Sequence, residues 1–397
     1  MSEVSAANHE GVGRVLRAPA YPAARKVAAT VAEHFARRLE DARSRGKAAL
    51  ASAPDAAVVE AVIDAGFWAS LRREEGYSPK ISLAFLPPEQ GEPSLTFAQT
   101  LPLEAAALAK LAPAVERPGI HLGVWRAGCG EDLCVWGTTR TIPRLCFVLE
   151  VVEPGLLVVK YRRGRDPAKF ANVVVLKGDE VKVVDEAGAS LPDCPELLTS
   201  LLGFGAGTST PADSVNVLVQ LAVSMRAHGR GGTLLVVPTA SEAWRESIRW
   251  PAPYAVEPAF PELRDLLTRG ATEADDPEWQ EALRRAVEAV AGLTAVDGAA
   301  VINQHSDLLA FGVKIARREA APRVERVMLT EPVVGTTAAV VEPAQLGGTR
   351  HLSAAQFVQD QQDALALVAS QDGRFTVFAW SPCEALVHAH RVETLLL

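Results

Sequence analysis

Two short stretches carry residue types that could do chemistry together. Asp297-Gly298-Ala299 opens a run ending at Ile315, and Gly348-Thr349-Arg350-His351 follows further along the chain. A glycine beside a carboxylate lets a ligand approach the backbone closely at the mouth of a strand. The second stretch places a hydroxyl, a guanidinium and an imidazole on consecutive residues. Chemistry on a nucleotide's phosphates needs that mixture: a planar fork for phosphate oxygens, a small donor, and a group that binds metal or carries a proton. Each stretch alone also has a plain structural reading. Asp297 then caps a turn, Thr349 is an N-cap, Arg350 lies on the surface, and His351 is a satisfied core histidine.

The elements that must position these residues are legible from apolar patterning. The run DGAAVINQHSDLLAFGVKI reads as strand, turn, strand: Val301 and Ile302 carry the first, and His305-Ser306-Asp307 is the reversal. Leu308, Leu309, Phe311, Val313 and Ile315 carry the second. A helix is expected over Ser353 to Gln362, started by Thr349-Arg350-His351. A buried strand, Ala364 to Ala369, follows and ends in Ser370-Gln371-Asp372-Gly373. Upstream, Val215 to His228 reads as an amphipathic helix and Thr233 to Val237 as a buried strand. Asp276 and Pro277 supply a cap and a first-turn proline for a helix running to Ala291.

On these residues, in this order, the C-terminal half resembles the DisA-type diadenylate cyclase family. That family carries a DGA motif on a strand-turn-strand unit, a GTRHR motif opening a helix, and a buried strand ending in a Ser-Glu-rich turn. The resemblance implies an α/β domain, a mixed central sheet flanked by helices, over residues 214–397. It implies condensation of two ATP molecules into cyclic di-AMP with release of two pyrophosphates, assisted by Mg²⁺ or Mn²⁺. Asp297, Arg350 and His351 would be catalytic, and Gly298, Ala299, Thr349 and Ser370 would bind nucleotide. Asp297, His351 and Asp372 would hold the metal. Because each nucleotide's 3′-oxygen attacks the other's α-phosphate, two half-sites must meet, which implies a homodimer or higher homo-oligomer.

Three departures from the family pattern stand out. Leu352 replaces the second basic residue of the motif, Gln371 stands where a glutamate is expected, and the interval from Ile315 to Gly348 is long. Ala338 to Val341 within it reads as an extra strand or flap. Arg317 and Arg318 are the candidates for replacing the missing cation at the nucleotide. With these changes two other functions stay open: a catalytically degenerate switch binding ATP or a cyclic dinucleotide, and a cyclase making a different cyclic dinucleotide.

The 397 residues suffice for two or three domains. A net charge of −8 argues against broad nucleic-acid binding through a basic surface, but leaves room for a pocket with a few local cations. The five cysteines are irregularly spaced and make no zinc pattern, which points to a reducing compartment. The polar start MSEVSAANHEG and the lack of a long apolar run predict a cytoplasmic protein with no membrane partner.

Residues 1–20 are expected to be loose. Residues 21–202 read as an α+β, largely antiparallel domain that would sense a small-molecule or protein signal. It opens with helices over Tyr21 to Ser70, followed by strands joined by turns such as Glu153-Pro154-Gly155 and Lys177-Gly178-Asp179. It loosely resembles the DACNV-type sensor modules found ahead of such cyclase domains. Residues 203–213, rich in Gly and Thr, read as a linker. His388 and His390 alternate on a strand and, lacking a third ligand, read as surface residues.

Overall fold

The computed structural model describes residues 20–46, 50–127, 132–162, 170–185, 216–239, 241–273 and 276–397. The 203–213 linker and almost all of the 1–20 segment lie outside the described residues. The protein is mixed α/β, with two mixed sheets and, among the described residues, seven α-helices. Described residues up to Leu157, with Arg162 and Leu176–Val181, form one compact unit. Val158–Tyr161, 170–175 and everything from Lys182 onward form the other.

The first sheet has the order β2-β4-β3-β1-β5-β6-β7-β8. Its strands are β1 (Ile81–Phe85), β2 (Ser94–Pro102), β3 (His121–Arg126), β4 (Leu133–Thr139), β5 (Phe147–Glu153), β6 (Leu156–Arg162), β7 (Phe170–Lys177) and β8 (Glu180–Val183). β1 runs parallel to β3, which makes the otherwise antiparallel sheet mixed. Three helices accompany it: α1 (Pro22–Ser44), α2 (Ala56–Ser70) and α3 (Ala105–Val115). Asp55 caps α2 by accepting a hydrogen bond from the Val58 amide at 2.8 Å.

The second sheet has nine strands in the order β10-β12-β11-β9-β15-β16-β17-β13-β14. These are β9 (Gly232–Val237), β10 (Tyr254–Phe260), β11 (Ala299–Asn303), β12 (Leu308–Val313), β13 (Val327–Thr330), β14 (Ala339–Val341), β15 (Leu365–Ala369), β16 (Phe375–Ser381) and β17 (Leu386–Arg391). The central strands β9, β11 and β15 are buried on both faces, as their unbroken apolar runs demand. Alternation decides which residue faces which layer. Leu234, Val236, Ala300, Ile302, Leu365 and Leu367 pack with α4 (Val217–Ala227) and α6 (Pro277–Leu293), and α5 (Glu262–Glu273) joins them through Leu263 and Leu266. Leu235, Val237, Val301, Ala366 and Val368 pack on the opposite face with α7 (Thr349–Asp360).

Some local expectations hold and one changes. The segment Tyr254–Phe260 ahead of the DGA stretch is an edge strand paired antiparallel to β12. As expected, the Thr349-Arg350-His351 motif starts the helix after Gly348 and forms its first turn. The long interval contributes β13 and β14, which extend the sheet beyond β17. His388 and His390 are not surface residues but are 5 % and 4 % exposed, because β17 lies inside the sheet between β16 and β13.

Burial, and then the His388 charge, push His390 down to about 3. The unfolded chain would take up that proton near 6.5. The stability contribution is therefore full above about pH 6.5 and lost as pH falls toward 3. Denaturant midpoints are expected to drop across this window in the wild type and less steeply in His390→Asn; parallel curves would show that His390 is not the cause.

Candidate functional site

One end of the second sheet gathers the chemistry-bearing residues. β9 and β11 are parallel neighbours that both begin there, while β12 and β15, antiparallel to them, both end there. The cleft at this end has a volume of about 610 Å³. Asp297, Gly298 and Ala299 enter it from the start of β11, and Gly348 to His351 from the first turn of α7. Ser370 and Gln371 enter from the end of β15, and Thr233 from β9.

Gly298 is required by the close approach of β11 to β12. Its φ is +132°, and a Cβ there would lie 2.4 Å from the Gly312 carbonyl carbon. Asp297 is thereby held at the rim, its side chain 95 % exposed, with Oδ1 2.6 Å from Lys314 Nζ. The hydrogen bond and charge of Lys314, with a smaller contribution from Arg350, keep this carboxyl below the usual carboxylate range.

The first turn of α7 faces the same cleft. Gly348 at the N-cap supplies no side-chain oxygen to the first-turn N–H groups, so these and the helix dipole favour an anion. Arg350 lies over Gly231, where a Cβ would sit 3.0 Å from its Nη1. His351 turns inward and is 3 % exposed, against Gly347 and the edge of Phe378. Burial pushes its pKa down, the Arg391 charge adds to this, and Asp372 opposes it, so the ring is neutral at pH 7. Its Nε2 has no hydrogen-bond partner among the described residues. Leaving a polar atom so buried costs about 1–3 kcal/mol.

The cleft thus brings together Asp297, Gly298, Ala299, Thr349, Arg350, His351 and Ser370, and it does not bring in the other three predicted residues. Arg317 and Arg318 are absent from its lining. Past Lys314 the chain runs along α7, and the Arg318 amide donates to Asp360, the last residue of that helix. That places it at the opposite end of α7 from Gly348 to His351. Asp372 is turned onto Arg374, 3.3 Å from its Nε. Burial pushes the Asp372 carboxyl up, but the Ser370 hydroxyl, the Arg374 amide and the Arg374 charge together hold it below the ordinary value. Asp297, His351 and Asp372 therefore do not form a three-ligand set. Among the described residues, no three His, Cys, Asp or Glu come together as a metal site.

Sequence reasoning missed two cations, Arg249 and Lys314. Both line the cleft, side by side because the Arg249 amide donates to the Lys314 carbonyl at 2.8 Å. Lys314 directly follows β12, which was signal enough; Arg249 comes from an irregular segment and carried none. With Arg350 they set three cations against one carboxylate, Asp297, on a chain whose net charge is −8.

Leu352 is not part of the lining and packs into the apolar layer on the α7 face. Replacing it with arginine is expected to lower stability by roughly 1–3 kcal/mol and to add no charge to the cleft, so that the response to added ATP stays as in the wild type. Thermal melting and a binding isotherm on one preparation check both; tighter binding would contradict the placement.

The fold and cleft define a mixed α/β protein with a cationic pocket at one sheet end. A family profile described as "Probable sensor domain DACNV" matches residues 48–140, which supports a sensor module in this part of the chain. No curated protein matches the chain.

Proposed function

We propose that the chain is a sensor-regulated diadenylate cyclase, with residues 214–397 as the nucleotidyltransferase domain behind a sensor module. The observation that carries this reading is the convergence of Asp297-Gly298 and Gly348 to His351 on one cationic cleft, from elements distant in sequence. The match to a sensor domain over residues 48–140 supports the regulated architecture.

In this reading the triphosphate lies across the first turn of α7, where backbone N–H groups, Arg350 and Arg249 meet its charge. Asp297 faces the ribose 3′-hydroxyl that must attack. His351, neutral and buried, lines the cleft beside Arg350 with its Nε2 unpartnered. A lone exposed carboxylate fits Mg²⁺ or Mn²⁺ held jointly by protein and phosphates, and does not fit a cation caged by protein alone. Such an ion would neutralise phosphate charge and acidify the hydroxyl.

The test is incubation of the full chain with ATP and Mn²⁺ or Mg²⁺, with products resolved by mass. Cyclic di-AMP is expected. A second reading, a nucleotide-binding switch, is favoured by Leu352 packing away from the cleft and by Gln371, uncharged and hydrogen-bonded to the Arg230 carbonyl. Binding of ATP without any product would select it.

Two half-sites must meet for two 3′-oxygens to attack two α-phosphates. Activity per protomer is therefore expected to fall on dilution as the pairing is lost. Constant specific activity down to concentrations where light scattering reports a monomer would exclude this mechanism.

A further inference from the structure

We propose that Lys314 exchanges partners during ligand binding. It neutralises Asp297 as the structure shows, then yields that carboxylate to a divalent cation arriving with the nucleotide and turns its ammonium to the polyphosphate. The inference rests on the nucleotide reading of the cleft and assigns a role to a residue that the cyclase motifs do not contain.

Three observations carry it. Lys314 Nζ lies 2.6 Å from Asp297 Oδ1, on the same carboxylate that a hard cation would need. The ammonium on Oδ1 and a divalent cation on the same carboxylate repel each other and draw on one negative charge, so the two compete for Asp297. The pair is also built to open. The two side chains are 45 % and 95 % exposed, and exposed pairs are weakly held. Only the head needs to move: the Lys314 backbone is pinned just past β12 by the Arg249 amide, and its four-carbon stem is free to swing. Finally, Leu352 brings no charge to the cleft, while Lys314 lines it beside Arg249 and Arg350. Lys314 is thus a positioning and charge-compensating residue, occupying the carboxylate until nucleotide and metal come together.

The experiment measures binding and needs no turnover. Mn²⁺ is titrated into the full chain and followed by the electron paramagnetic resonance of the free ion, with and without 3′-deoxy-ATP, which lacks the attacking hydroxyl. Lys314→Met is expected to bind Mn²⁺ alone roughly three- to tenfold more tightly than wild type, because a competing cation is gone. The same variant is expected to bind 3′-deoxy-ATP about tenfold more weakly in saturating Mn²⁺, and Lys314→Arg to restore most of that affinity. Opposite movement of the two affinities is the signature, since general damage to the cleft would weaken both. Affinities that move together, or not at all, overturn the exchange. Asp297→Asn separates this from the reading beneath it. If that variant loses Mn²⁺ binding while Lys314→Met changes nothing, only the exchange falls. If Asp297→Asn binds Mn²⁺ and 3′-deoxy-ATP like wild type, the nucleotide reading of the cleft falls with it.

Discussion

On the cyclase reading, Asp297→Asn is expected to slow conversion of ATP by about 10³-fold, because charge stabilisation at the reacting phosphate is lost. The substitution keeps the shape of the side chain and removes only its charge. The residue projects from the rim and packs against nothing, so the melting temperature is expected to stay where it was. Its one described partner, Lys314, remains solvated after the change and loses little. Steady-state rates and melting curves on the same preparation decide the matter. A variant that turns over at the wild-type rate removes the carboxylate from the mechanism, and one that melts early means that Asp297 holds the strand start rather than a ligand.

Arg350→Ala is expected to lower turnover by about 10²- to 10³-fold, the usual consequence of deleting one charged donor from a preorganised phosphate site. The guanidinium lies over Gly231, just before β9, where it lines the cleft. Arg350→Lys keeps the charge but not the planar pair of donors, and should recover only part of the loss. The division between kinetic constants is informative. A fall in kcat places the contact in the transition state, whereas a rise in KM with kcat intact makes Arg350 a ground-state clamp.

How much of this was legible in the sequence depends on the range of the interaction responsible. The strand-turn-strand from Ala299 to Val313 and the helix after Gly348 follow from local patterning, and the structure forms both. Residues on or beside those elements, such as Asp297, Ser370 and Arg350, reach the cleft because the motif already fixes their end of the sheet. For Arg317 and Arg318 to reach the cleft, β12 would have to continue straight past its last residue. Instead the chain turns away beside Ala316, whose amide bonds the Ser247 carbonyl, and runs toward the far end of α7. Arg249 depends on that same long-range pairing between an irregular segment and the end of β12, which no periodicity announces. Gly298 could be suspected from its neighbours, but the reason it must be glycine, a backbone 2.4 Å from a would-be Cβ, belongs to the tertiary structure.

The margins of the nine-stranded sheet also bear on how the protein behaves when concentrated. β10 forms one margin, with Tyr254 and Phe260 about half exposed, and an exposed apolar edge of that kind is a template for adding further strands. Pro258 removes a backbone donor from the middle of β10, and the pairing with β12 slips between Ala255 and Phe260. At the other margin β14 is only three residues long. Neither border offers a continuous row of backbone donors and acceptors to a neighbouring molecule. Strand addition to this sheet is thus interrupted at both ends.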